Sequence, residues 1–197
     1  RPSPRPRLTS SLPRITRGSM IAMALALVSL TALAKEPDVV FVPTPMPVVE
    51  RMLDLAEVKR GDVVYDLGSG DGRIVEAAAR RGARAVGFEV RPELVRKARE
   101  RLKKAGLGKR ASIREADLFA QDLRPASVIT LYLLPSLNVK LIPQLERLKP
   151  GTRIVSHDFD IAGVRPTKVV KVALPGGGSK TLYAFTTPLR RTNDNTR

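Results

Sequence analysis

Apolar positions along the chain change period several times, and each change marks an element. Val48-Val49-Glu50-Arg51-Met52-Leu53 repeats at the i, i+4 spacing of a helical face, after a stretch, Val42-Pro43-Thr44-Pro45, that its prolines keep extended. Asp62–Leu67, Arg84–Glu89 and Ala111–Glu115 are short apolar runs that read as strands. Helical segments follow the first two, Asp71 to Arg81 with Ile74, Val75, Ala78 and Ala79 inward, and Pro92 to Ala105, where Pro92 suits a first turn and Gly106 a stop. Ser127–Leu134 is nearly all apolar, the mark of a central strand covered on both faces. Leu137–Leu148 is the next helix, closed by Lys149-Pro150-Gly151, and Thr152–His157 is a fifth strand.

The alternation then stops. Asp158–Pro166 is too short for a crossover helix, and Gly176-Gly177-Gly178 joins Lys168–Leu174 to Thr181–Thr187 as a hairpin. The expected fold is α/β: a Rossmann-like, mostly parallel twisted sheet with helices on both faces and a C-terminal antiparallel hairpin. Its domain should span residues 36–188, with 189–197 a loose tail.

Residues 1–19 are rich in Pro, Arg and Ser and are expected to be a disordered basic leader. Residues 20–35 hold an apolar run, Ile21 to Ala34, ending Ala32-Leu33-Ala34. Basic flank, short apolar core and small-residue end have the grammar of a secretory signal, but the run is shorter than the roughly 20 residues of a spanning helix. Membrane association through this segment is the expectation, with export or a mitochondrial presequence as the open alternatives. Met20 is a candidate initiator.

Charge adds a partner class. The net charge is +16, and residues 1–35 supply six of those charges with no acid, so the remaining part is basic as well. A membrane surface, nucleic acid or an acidic protein are the anionic partners this allows, beside the plain reading of a solvated basic surface. The absence of cysteine excludes disulfides and thiolate chemistry, and a single histidine argues against a transition-metal site.

The chemistry sits at the first strand end. Asp66-Leu67-Gly68-Ser69-Gly70-Asp71-Gly72 runs from strand to helix, and Glu89 closes the second strand. Glycines let a ligand approach the backbone, and an acid at the next strand end suits a ribose diol. A dinucleotide fingerprint needs glycine where Arg73 stands, and two carboxylates, Asp66 and Asp71, disfavour a pyrophosphate. A cationic nucleoside, S-adenosylmethionine, fits the acidic turn better. Asp71 as a helix cap and Asp117 as a turn residue are the structural alternatives.

With Glu115-Ala116-Asp117-Leu118 and Leu148-Lys149-Pro150-Gly151-Thr152-Arg153-Ile154-Val155 added, residues 42–188 resemble the class I, seven-strand S-adenosylmethionine-dependent methyltransferases. The resemblance implies that Asp66 reaches the methionine ammonium, that Gly68, Ser69, Gly70 and Gly72 form the cofactor turn, and that Glu89 takes the ribose. It also implies that Asp117 accepts from the adenine amino group, with Leu118 and Phe119 beside the ring.

The acceptor side is Leu131-Tyr132-Leu133-Leu134-Pro135-Ser136-Leu137-Asn138. It lacks the Asp/Asn-Pro-Pro-aromatic element of base-methylating enzymes and offers an apolar lip with one phenol, which makes nucleic acid an unfavoured substrate. Val42-Pro43-Thr44-Pro45, the Tyr65–Arg73 turn and Tyr132-Leu133-Leu134-Pro135 further resemble the protein-lysine methyltransferases of the ATP synthase c-subunit and the adenine nucleotide translocase, with their prokaryotic relatives. That resemblance implies lysine N-methylation of a protein, membrane proteins among the candidate partners, and Thr44 with Pro45 closing over the cofactor. Tyr132 and Pro135 are the candidate catalytic residues, Tyr132 by orienting the amine. His157 is expected to be structural, and Asp158 and Asp160 are candidates for contact with a cationic substrate. A monomer is expected. A small-molecule or lipid methyltransferase, and a non-catalytic nucleic-acid-binding protein, are the rival readings.

Overall fold

Seven strands form one sheet in the order β3-β2-β1-β4-β5-β7-β6. The computed structural model describes residues 41–193. Two compact units divide the chain between Glu36 and Pro37; the first, which holds the basic leader and the apolar run, lies outside the described residues. Among the described residues no helix is long and apolar enough to cross a membrane.

In chain order the elements are α1 (Met46–Leu55), β1 (Val63–Leu67), α2 (Arg73–Arg80), β2 (Arg84–Glu89), α3 (Pro92–Lys104), β3 (Ala111–Glu115), a 3-10 turn (Leu118–Ala120), β4 (Val128–Leu131), α4 (Pro135–Leu145), β5 (Arg153–His157), β6 (Lys168–Ala173) and β7 (Ser179–Thr186). The first five strands pair in parallel, while β7 runs antiparallel to both β5 and β6. This is the expected topology. The strand expected over Ser127–Leu134 is shorter, because Pro135 opens α4 and the chain must leave the sheet to reach it.

The core has two layers. Val48, Val49, Met52 and Leu53 of α1 join Val75 and Ala78 of α2 and Val95 and Ala98 of α3 on one face of the sheet. Leu141, Ile142 and Leu145 of α4 pack with Leu118, Leu123 and Ile161 on the other. Both faces of β1 and β4 are therefore covered, which is why their apolar runs are continuous rather than alternating.

The tail is tied down further than expected. Arg190 O accepts from Arg165 N–H, Thr192 N–H donates to Gly163 O, and Arg191 pairs with Glu146 at 2.8 Å. Residues 190–192 are thus held by the loop after β5 and the end of α4, a pairing between distant segments that polar composition did not reveal.

Candidate active site

Strand order reverses beside β1: β2 and β3 extend one way, while β4 and β5 extend the other. In such a sheet a crevice opens at the carboxyl ends of the two central strands. Asp66 of β1 is in register with Thr130 of β4 at that point. The Thr130 hydroxyl donates to Asp66 Oδ1 at 2.8 Å, and Asp66 Oδ2 is buried with no partner. Burial, opposed by the Thr130 hydrogen bond and reinforced by the Glu89 and Asp71 charges, pushes the Asp66 carboxyl up to about 7. A buried carboxylate oxygen without a donor is a receptor for a cation.

The glycine turn consumes its own donors. Gly68 N–H and Ser69 N–H both donate to Phe88 O at 2.9 Å, Gly72 N–H donates to Ser69 O, and Gly70 N–H donates to Glu89 Oε2 at 2.9 Å. These N–H groups are therefore not available to cradle a pyrophosphate, as a dinucleotide turn requires. Gly68, Gly70 and Gly72 all have positive φ, and a Cβ at Gly68 would lie 2.8 Å from the Leu133 side chain.

Glu89 is fixed at both oxygens. Oε1 accepts from Val90 N–H and Arg91 N–H, each at 3.0 Å, and Oε2 holds Gly70. One lone-pair site remains, on Oε2. Asp117 is exposed, and its Oδ1 caps the 3-10 turn by accepting from Phe119 N–H at 2.9 Å. Its other oxygen has no role in that cap. Leu118 is buried beneath it, and Phe119 carries the Lys140 ammonium 4.0 Å from its ring centre.

Two expectations need correction. Asp71 is not a bare carboxylate: Arg73 and Arg101 both reach its Oδ2, at 2.8 and 3.0 Å. Burial works against its charge, yet the Arg73 hydrogen bonds and the two guanidinium charges hold it below the usual carboxylate range. It locks α2 to α3, so of the two aspartates at the turn only Asp66 keeps an unpartnered carboxylate oxygen. Ser69 Oγ does not face the cleft; it is tucked against β2 where Gly87 lacks a side chain, since a Cβ there would stand 2.5 Å away.

The segment before α1 crosses this end of the sheet. Phe41 packs on Gly70 and lies under the Arg91 guanidinium, 5.6 Å from the ring centre. Arg73 donates to Thr44 O at 2.8 Å, and Thr44 Oγ1 is 3.1 Å from His157 Nδ1. Thr44 is buried, and Pro45 is the residue from which α1 starts.

His157 has no exposed surface, and its ring stacks on Tyr132 at 3.9 Å between centres. Burial lowers it to about 4, with Asp158 opposing and Lys180 assisting, so it is neutral near pH 7. Tyr132 is half-buried, while Leu134 and Pro135 are exposed at the lip. Asn138, on the buried side of α4, donates to Ser156 Oγ, Phe159 O and Asp160 O, with the last at 2.9 Å. Asp160 itself is exposed. Among the described residues no cluster suits a metal ion.

Thr130, Asn138, Arg73 and Phe41 were missed by reading the sequence. Two carried a signal: Thr130 interrupts an otherwise apolar central strand, and Asn138 occupies a core-facing position three and four residues before Leu141 and Ile142.

The family described as the ANTKMT methyltransferase domain matches residues 66–168. A protein-lysine N-methyltransferase of Saccharolobus islandicus (strain REY15A) is 46% identical over 152 residues, covering 76% of this chain and 94% of the relative. The Homo sapiens lysine N-methyltransferase of the ATP synthase c-subunit is 31% identical over 170 residues, covering 85% of this chain and 70% of the relative. Among solved structures, an RNA methyltransferase from Salinibacter ruber in complex with S-adenosyl-L-homocysteine is 52% identical, with a TM-score of 0.70, and is covered over 100% of its length by 79% of this chain.

Proposed function

The chain belongs to the ANTKMT methyltransferase-domain family, and on that footing we propose that it methylates the side-chain amine of lysine in a protein. It is an S-adenosylmethionine-dependent methyltransferase. The observation that carries the cofactor assignment is the orphaned, buried Asp66 Oδ2 beside a turn whose N–H groups are spent. That site takes an ammonium and refuses a pyrophosphate.

Bound S-adenosylmethionine supplies an electrophilic methyl group. Asp66 receives the amino-acid ammonium, Glu89 offers its remaining Oε2 lone pair to a ribose hydroxyl, and Asp117 offers its uncapped oxygen to the adenine amino group. Charge-assisted bonds of this kind contribute about 1.5–3 kcal/mol each. Thr44 and Pro45 hold the segment that crosses the cleft, and Leu133 supports the turn at Gly68.

On the acceptor side the work is alignment, because methyl transfer needs a lone pair directly behind the carbon. A lysine must first lose its proton, which at pH 7 costs about 4.6 kcal/mol from a reference pKa near 10.4. The apolar lip of Leu133 and Leu134 excludes water, and desolvation beside a sulfonium lowers the amine's pKa. Tyr132, braced on the neutral His157 ring, orients the nitrogen. No dedicated base is required.

Exposed Val42, Met46, Val90 and Leu134 lie in segments at this end of the sheet, which supports a substrate in or beside a membrane, as the apolar run Ile21–Ala34 does for the chain itself.

The second reading is RNA methylation, favoured by the Salinibacter ruber relative and the net charge of +16. The lysate test separates the two. The purified chain is incubated with methyl-labelled S-adenosylmethionine and a cell lysate, and protein, RNA and lipid are then resolved. Label in protein, mapped to lysine, is expected; label confined to RNA establishes the second reading, and label confined to lipid removes both.

A further inference from the structure

We propose that Asp158 and Tyr132 form the receiving site for the ammonium of an incoming lysine, and that Lys180 is its resident occupant, displaced by substrate. The inference deepens the lysine reading above and rests on it.

A lysine is already held beside the acceptor lip. Lys180 Nζ lies 2.6 Å from Asp158 Oδ2, with the Tyr132 phenol as a further partner. Tyr132 follows β4 and Asp158 follows β5, so both stand at the carboxyl ends of strands beside the crevice, while Lys180 reaches in from β7. The carboxylate is aimed. Asp158 N–H donates to Thr181 O at 2.7 Å, Thr181 N–H donates to Asp158 Oδ1 at 3.1 Å, and Oδ2 is left for the ammonium. Asp158 has φ +59, a left-handed conformation that a non-glycine residue keeps only where its surroundings impose it.

The floor of this site is aromatic. Tyr132 packs against both His157 and Phe159, at 3.9 and 6.3 Å between ring centres. His157 Nε2 is buried without a hydrogen-bond partner, 3.5 Å from Asp158 Oδ2. A lysine stem can lie along such a surface with its charged end on the carboxylate. Lys180, in contrast, keeps 29% of its side chain exposed. An ion pair that exposed shifts an equilibrium by at most about fivefold, so exchanging one ammonium for another is cheap. The Asp158 hydrogen bond, opposed by partial burial and assisted by Tyr132, keeps Lys180 charged and therefore non-nucleophilic. Asp158 accordingly recognises the charged amine at the entrance, and the amine leaves it to react.

The test uses the full chain, S-adenosylmethionine and a neutral peptide with one lysine. Lys180→Met should lower KM for the peptide by up to about fivefold with kcat unchanged, whereas Lys180→Arg, which keeps the cation, should hold KM near the parent value. Asp158→Asn should raise KM by about tenfold or more with cofactor affinity by calorimetry unchanged. A higher KM for Lys180→Met, an unmoved KM for Asp158→Asn, or a methyl group found on Lys180 by mass mapping would overturn the proposal. Normal peptide methylation with KM unmoved by either variant removes this proposal alone; a parent enzyme that labels RNA and no peptide removes the lysine reading with it.

Discussion

Thr44 Oγ1 lies 3.1 Å from His157 Nδ1, joining the segment before α1 to the end of β5 across 113 residues of chain. The bond holds a strap over the carboxyl end of the sheet, since Thr44 O also accepts from Arg73 at the turn. Thr44→Val removes the hydroxyl and leaves both ring nitrogens of a fully buried histidine unpaired, a cost of about 1–3 kcal/mol. Cofactor affinity should fall severalfold by calorimetry while the Arg73 contact keeps the fold. An unchanged affinity would show that the strap does not close over the cofactor.

Asp66 and His157 titrate against each other. Asp66 moves from its ordinary 3.8 up to about 7, so across that window the folded protein holds a proton that the unfolded chain has released. This contribution grows as pH falls through 7 and is lost as pH rises. His157 moves from 6.5 down to about 4, so the unfolded chain takes a proton that the folded protein refuses, and stability drops as pH falls. The slopes are opposite over nearly the same range. The parent should therefore be nearly level in urea melts between about pH 4 and 7. Asp66→Asn should expose a fall of about 3 kcal/mol toward acid, and His157→Gln should expose a rise. Three parallel curves would refute both shifts.

The same carboxylate sets a pH limit on cofactor binding. If ionised Asp66 holds the cofactor ammonium as proposed, its pKa of about 7 means that binding must expel a proton in more acid solution. The dissociation constant for S-adenosylmethionine should weaken about tenfold per pH unit below 7, with proton release seen in calorimetry buffers of different ionisation heat. In Asp66→Asn both effects should vanish.

How far the sequence revealed this site depends on the distance over which each contact acts. The placement of Gly68, Gly70 and Glu89 at adjoining strand ends was legible because a turn between a strand and a helix is written in consecutive residues. The five parallel strands and the hairpin were legible for the same reason. The partner of Asp66, Thr130, stands 64 residues away and is set by strand register, which no local pattern specifies. Asp71 was misread although its nearer partner, Arg73, stands two residues on; the second, Arg101, sits 30 residues on and is brought close only by the packing of α2 on α3. A count of charges near the turn overstates its acidity unless the helix contact is known.

Phe41 and Gly70 make a separable pair. Gly70 has φ +52, and a Cβ there would overlap the Phe41 ring. Gly70→Ala meets two penalties, the left-handed backbone at about 1–2 kcal/mol and displacement of Phe41. Cofactor affinity should fall about tenfold or more. Adding Phe41→Ala relieves only the overlap, so the double variant should recover part of the loss. Complete recovery would mean that the backbone conformation carries no cost.

Asn138 tests the acceptor side alone. It is fully buried on α4, and its Nδ2 satisfies Phe159 O and Asp160 O in the loop that leaves β5. Ser156 Oγ, which Asn138 also contacts, turns to the same Phe159 carbonyl at 2.5 Å, so one amide organises the whole turn. Asn138→Leu preserves apolar packing against Leu141 and Ile142 but strips the Asp160 carbonyl of its donor, a loss of about 1–3 kcal/mol. That loop carries Phe159 against Tyr132, at 6.3 Å between ring centres. The substitution should therefore lower kcat for the lysine acceptor while the dissociation constant for S-adenosylmethionine stays at the parent value, because the Asn138 hydrogen bonds go to Ser156, Phe159 and Asp160 on the acceptor side. Equal losses in kcat and cofactor affinity would show that the acceptor loop and the cofactor turn are one cooperative unit.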